Sequence, residues 1–267
     1  MMPQSIYVVD AFTDLPFRGN PAGVCILDAP MADDLRQQIA MEMNHAETAF
    51  LTKLGEGNFD LRWFTPTTEV KMCGHATLAS AHVLWTTGRE SGSIRFQTRS
   101  GEMRAERNLS KIILDFPAEF TEPVSNRAPF EAALGVKTTY VGDNWMYWLI
   151  ELESEQAVRS FEPNQDAIAK LGREAVIITA KSDTEADDFV SRLFGPNVGI
   201  PEDPVTGSAH CLLAPYWSKK LGKTEMVGYQ ASKRGGFVEV EFLGARVLLK
   251  GYAVTTLEGT LHLEPKS

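Results

Sequence analysis

Two stretches of this chain repeat one another, and a chain built on a repeated unit folds as copies of one supersecondary plan. NFDLRWFTP from Asn58 aligns with DFVSRLFGP from Asp188, sharing Phe59/Phe189, Arg62/Arg192, Phe64/Phe194 and Pro66/Pro196 at an offset of 130. Farther on the offset grows to 133, where EVKMCGHA from Glu69 meets EDPVTGSA from Glu202 and pairs Glu69/Glu202, Gly74/Gly207 and Ala76/Ala209. The same offset pairs Phe96-Gln97 with Tyr229-Gln230. The blocks run in the same order with small shifts between them, the signature of an internal duplication.

The apolar segments are short and rich in β-branched and aromatic residues: SIYVVDAF from Ser5, GVCIL from Gly23, ETAFLTK from Glu47, SIRFQT from Ser93 and FVEVEFL from Phe237. They read as strands. Leu35, Ile39 and Met43 recur every four residues within 32–43 and mark a helix. No regular strand-helix alternation follows, so the expected class is α/β in the α+β sense, with mixed sheets rather than a doubly wound parallel one. After each paired glycine the residues are apolar nearly all round (HATLASAHVLW; SAHCLLAPYW), the pattern of a helix buried on every side, around which a sheet must curl. Pro215 removes a backbone donor from the second helix and is expected to kink or shorten it. The segment 115–130, with Pro117, Pro123 and Pro129, lies where one copy ends and the next begins. The expected domains are 1–118 and 119–267, with the last strand a candidate to return to the first.

The 267 residues, 43% of them hydrophobic, suffice for two domains of this size. A formal net charge of -9 disfavours nucleic acid and anionic lipid as partners, because the densest basic cluster is only Lys219, Lys220 and Lys223. The opening MMPQSIYVVDAFTD shows neither an export signal nor a membrane segment. Three cysteines, Cys25, Cys73 and Cys211, fit a reducing compartment better than a disulfide framework, so cytoplasmic residence is expected.

Chemistry is expected at the two glycine turns, CGHA at Cys73 and TGSA at Thr206. Each opens a helix whose unpaired N–H groups and positive dipole end favour an anion. Two such starts related by duplication could hold a carboxylate and stabilise charge developing beside it. The simpler reading is that Gly-His and Gly-Ser merely start helices. His45, His82, His210 and His262 form no metal-ligand spacing, Cys73 and Cys211 are too few for a structural zinc site, and no metal is implied. The glycines form neither a dinucleotide fingerprint nor a phosphate loop, and no other cofactor signature is present.

VDAFTDLPFRGNPAGVCIL at Val9, NHAETAFL at Asn44, RWFTPTTEVKMCGHATLASAHVL at Arg62 and EDPVTGSAHC at Glu202 give the chain a resemblance to the phenazine-biosynthesis PhzF-like isomerases, within the diaminopimelate-epimerase fold. The resemblance implies two pseudo-symmetric domains, each a curled mixed sheet around one central helix, with the active site between them. It implies catalytic roles for Glu47, His75 and Asp203. Asn20 matches the family's first motif, Cys73 and Thr206 stand where the fold's thiol epimerases carry cysteines, and with Gly74, Gly207 and Ser208 of the two helix starts they make the expected substrate-binding set; the resemblance also suggests a homodimer.

The residues bear on those roles independently. Glu47 opens an apolar strand, where a carboxylate is costly to bury unless paired or functional, and desolvation there suits a group that takes and returns a proton. Its plainer reading is a solvated strand end, and His75 and Asp203 could be helix-start caps. Thiol-based epimerases of the fold have a cysteine before the helix glycine in both halves; here the pair is Cys73 and Thr206, and a threonine hydroxyl cannot serve as an unaided carbon base. Cys73 reads either as a small buried hydrophobe or as a reactive thiol. Asn20 in RGNPAG lines the site or belongs to an ordinary turn. The function expected is a cofactor-independent isomerase that moves a proton between carbons of a small carboxylate-bearing substrate. The rivals are a single-thiol lyase using Cys73 and a non-catalytic metabolite-binding protein.

Overall fold

The computed structural model describes residues 4–263. The chain folds as two compact units, one running to Asp115 and resumed from Lys250, the other spanning Phe116–Leu249. The break thus falls slightly before 118/119, and the last strand lies with the first unit.

The first unit contains β1 (Gln4–Ala11), β2 (Asn20–Leu27), α1 (Asp33–Met43), β3 (Glu47–Gly55), β4 (Asn58–Phe64), β5 (Glu69–Val70), α2 (Gly74–Thr86), β6 (Ile94–Thr98), β7 (Gly101–Asn108) and β8 (Lys111–Pro117), within which the break falls. The second contains β9 (Glu122–Pro123), α3 (Ala128–Leu134), β10 (Thr138–Asp143), β11 (Tyr147–Leu152), α4 (Glu155–Arg159), α5 (Gln165–Ala169), β12 (Ala175–Lys181), β13 (Phe189–Gly195), β14 (Ile200–Asp203), α6 (Gly207–Leu221), β15 (Glu225–Gln230), β16 (Gly236–Phe242) and β17 (Arg246–Gly251), whose last two residues fall in the first unit. The final strand, β18 (Ala253–Leu261), pairs antiparallel with β1.

The two units follow one plan. In the first, β1/β2, β3/β4 and β6/β7 are antiparallel, while β2/β3 and β4/β6 are parallel. In the second, β10/β11, β12/β13 and β15/β16 are antiparallel, while β11/β12 and β13/β15 are parallel. A parallel neighbour needs a crossover, usually helical. The crossovers are α1 and α2 in one unit and α4–α5 and α6 in the other. This is the mixed α/β class expected.

Burial explains why each sheet needs its helix. In α2 the side chains from His75 to Ala81 and from Val83 to Trp85 are all buried, and the helix packs on β1, β2, β3 and β18. The face of α1 carrying Leu35, Ile39 and Met43 joins Ile6, Cys25, Phe50 and Phe64 in a separate cluster. In the second unit Trp217 of α6 stacks on Phe189 at a 5.8 Å centroid separation and donates its indole N–H to Thr179 Oγ1 at 3.0 Å.

Pro215 does not shorten α6, which continues to Leu221. Proline leaves the carbonyl four residues back, Cys211 O, without its helical donor. That carbonyl instead accepts from the Glu119 backbone N–H at 3.0 Å. A segment distant in sequence completes the helix.

The duplication also survives in side-chain contacts. Arg62 Nε lies 2.7 Å from Glu69 Oε1, and Arg192 Nε lies 2.7 Å from Glu202 Oε1. Each guanidinium also covers the phenylalanine two residues on in its own strand, Phe64 at 5.3 Å and Phe194 at 5.0 Å. The remaining donors reach the preceding crossover: Arg62 grips both oxygens of Asp33 at the start of α1, and Arg192 bonds the carbonyls of Val158 in the last turn of α4 and of Phe161 just beyond it. Hydrogen bonding to Arg62 holds the Asp33 carboxyl below its ordinary range. Since Glu69 and Glu202 each stand four residues before Cys73 and Thr206, these paired clamps fix the approach to both helix starts.

Candidate active site

In the first unit the site begins with a glycine. Gly19 has φ +62°, and a Cβ there would come within 2.1 Å of Ala11 O, so only glycine permits the turn. The next residue, Asn20, opens β2 with its side chain fully buried. Glu47 opens β3 opposite Ala22 in the parallel register. Cys73 is the extended N-cap of α2, and His75 is the second residue of that helix.

These four residues converge on the imidazole. His75 Nδ1 lies 3.3 Å from Asn20 Nδ2 and 3.4 Å from Cys73 Sγ, and Nε2 lies 3.3 Å from Glu47 Oε2. Burial pushes the His75 pKa down to about 3, with His45 acting in the same direction. The ring is therefore neutral at ordinary pH, and its 3.3 Å contact with Glu47 is not an ion pair. The Asn20 amide nitrogen can only donate, so with the carboxamide so oriented Nδ1 accepts and the ring hydrogen sits on Nε2, the nitrogen that faces the Glu47 carboxylate. A neutral imidazole held in one tautomer keeps the carboxylate in place without neutralising it. Sequence spacing suggested no metal site, yet Glu47, Cys73 and His75 bring one donor atom each within 4.8 Å of one another. Glu47 is remote in sequence from the other two, and only the β2/β3 pairing brings it beside the α2 start.

In the second unit the site is organised around a glutamine. Thr206, the extended N-cap of α6, directs its hydroxyl to Asp203 Oδ2 rather than to the helix. The fully buried Gln230 carboxamide accepts from Thr206 N at 2.8 Å and donates to Asp203 O at 2.8 Å and to Thr206 Oγ1 at 3.2 Å. Ser208 Oγ meets Tyr147 Oη at 2.9 Å, and burial raises the Tyr147 pKa to about 12, which keeps that phenol neutral. His210 donates through Nδ1 to Thr206 O at 2.8 Å, and burial lowers its pKa to about 4.

Neither α2 nor α6 has a side-chain cap at its N-terminus. Their first-turn N–H groups have no acceptor within the helix, the arrangement expected of a helix start that receives an anion. The predicted residues thus gather as Asn20, Glu47, Cys73, Gly74 and His75 in one unit and as Asp203, Thr206, Gly207 and Ser208 in the other. Gly19, Gln230, Tyr147 and His210 are additions. Gln230 had a signal, being half of the Gln97/Gln230 repeat pair. Tyr147 and His210 had none, because their partners are remote or backbone atoms.

Residues 9–259 match the PhzC-PhzF family, described as phenazine biosynthesis-like protein. A protein of Halalkalibacterium halodurans named as an uncharacterized isomerase is 48% identical, over 98% of this chain and all of its own length. The crystal structure of a phenazine biosynthesis protein of the PhzF family from Enterococcus faecalis is 39% identical, with a TM-score of 0.94, and covers 98% of this chain and 100% of that one. A hydroxyproline epimerase from Agrobacterium vitis, 10% identical with a TM-score of 0.65 over 97% of this chain and 92% of its own, shares the fold alone. No helix among the described residues is long and apolar enough to cross a membrane. The repeated architecture, the paired glycine helix starts and this family match lead to one conclusion: the chain is an isomerase-type enzyme belonging to the phenazine biosynthesis-like PhzC-PhzF family.

Proposed function

We propose that the enzyme is a cofactor-independent isomerase in which Glu47 removes a proton from one carbon of a small carboxylate-bearing substrate and returns it to another. The observation that carries this reading is the Glu47–His75 pair. The carboxylate stands 3.3 Å from an imidazole that burial keeps neutral, so it is oriented and not neutralised. The proton taken from carbon becomes the carboxyl proton of Glu47 and leaves by the reverse step, so the shuttle is balanced without a second base. Gly74, at the uncapped start of α2 beside this pair, stabilises the charge that develops next to the substrate carboxylate. Asn20 positions His75.

Cys73 favours a second reading, a single-thiol lyase, because its sulfur lies 3.4 Å from His75 Nδ1. Two variants assayed on one substrate separate them. Glu47→Gln keeps the shape and removes the basicity, and it should lose at least about 100-fold in turnover, while Cys73→Ala keeps much of it. An inactive Cys73→Ala beside an active Glu47→Gln would transfer the chemistry to the thiol.

A further inference from the structure

The side chains that would shuttle the proton are also a donor set. Glu47 offers a carboxylate oxygen, Cys73 a sulfur and His75 a ring nitrogen, all within 4.8 Å of one another. Nε2 of His75 lies 3.3 Å from Glu47 Oε2 and 4.0 Å from Cys73 Sγ. Zinc bond lengths of about 2.0–2.3 Å in a tetrahedral site put nitrogen and oxygen roughly 3.3 Å apart, and nitrogen and sulfur roughly 3.6 Å apart. Of the three pairs, nitrogen and oxygen already have that spacing, nitrogen and sulfur need to close by a few tenths of an ångström, and oxygen and sulfur lie within 4.8 Å.

We propose that Glu47, Cys73 and His75 bind a single thiophilic divalent cation, Zn2+, with its fourth position open, and that the bound ion switches the isomerase off. One thiolate, one imidazole and one carboxylate form a set suited to zinc. On binding, the Cys73 S–H loses its proton to solvent and sulfur bonds the metal. The His75 Nε2 hydrogen moves to Nδ1, freeing the Nε2 lone pair for the ion. Asn20, 3.3 Å from Nδ1, turns its carboxamide so that oxygen accepts that hydrogen, the outer-shell partner a metal-bound histidine needs. Cys25 and Cys211 are not rivals, since burial raises both thiols to about 12 and no other such trio gathers among the described residues. The inhibitory half rests on Glu47 as the base, because the metal takes the lone pair the proton would use. The binding half does not.

The test is Co2+ titrated into the metal-stripped full-length enzyme, with Zn2+ as competitor. A near-ultraviolet thiolate-to-cobalt band saturating at one equivalent, displaced by Zn2+ and absent from Cys73→Ser with an unchanged circular-dichroism spectrum, is expected. Asn20→Ala should keep the band and weaken binding by about 10- to 100-fold. No band, or the same band in Cys73→Ser, would overturn the site. If Cys73→Ser fails to fold, Glu47→Gln substitutes: the band should persist with weaker binding, and unchanged affinity would overturn the site. One equivalent of Zn2+ should abolish turnover, and chelation should restore it. Bound zinc with full turnover would overturn the inhibitory role and Glu47 as base, while the binding stands.

Discussion

His210 makes the second unit sensitive to mild acid, and the size of the effect follows from its surroundings. The imidazole is completely buried between the Phe189 ring, 5.9 Å away, and the backbone of its own helix, and its Nε2 has no hydrogen-bond partner. Protonation would place a charge there, so the folded pKa drops from 6.5 to about 4. Below about pH 6.5 the unfolded chain takes up a proton that the native chain refuses until about pH 4. Stability therefore falls across that window and loses nothing more from this group below it. Roughly 1.5 pH units below the unfolded value, at 1.36 kcal/mol per unit, gives about 2 kcal/mol lost by pH 5. His75 adds in the same direction in the other unit, so the informative measurement is a difference. Asparagine at 210 has no titrating ring. His210→Asn should be less stable than the parent near pH 7.5, having lost the contact with Phe189, and the gap should shrink by about 2 kcal/mol at pH 5. Urea unfolding followed by tryptophan fluorescence reads this, since Trp217 stacks on the same Phe189. A gap that stays constant between the two pH values would refute the burial argument.

Gln230→Leu removes three hydrogen bonds at the α6 start and takes the side-chain acceptor from Thr206 N. It should cost about 2–3 kcal/mol in urea denaturation and also lower turnover, whereas loss of stability alone would make Gln230 purely structural. Gly19→Ala should destabilise the fold by more than about 2 kcal/mol, because its Cβ would meet Ala11 O and the turn needs φ +62°; an unchanged Tm would refute the strain. In D2O the product should carry less than full deuterium at the newly protonated carbon, since one carboxylate returning its own proton shields it from solvent. Complete deuteration at that site, read by mass spectrometry, would count against Glu47 as a shuttle.

Several elements needed only local pattern. The repeat from Phe59 to Ala76 against Phe189 to Ala209 announced one plan used twice, and it carried the Arg62–Glu69 and Arg192–Glu202 pairs because an ion pair needs both partners in each copy. The central helices were legible because an all-apolar run after Gly74 and Gly207 has no solvent face to offer. Other features depended on atoms remote in sequence. Pro215 reads as a helix breaker until Glu119 supplies the missing donor. Asn20, Glu47 and Cys73 become neighbours of His75 only through strand pairing and the α2 start, and Gln230 completes the Asp203–Thr206 turn from another strand. Periodicity records which face of an element is buried. Which buried polar groups meet is settled by strand register and by how each helix enters its sheet, and those are properties of the folded chain.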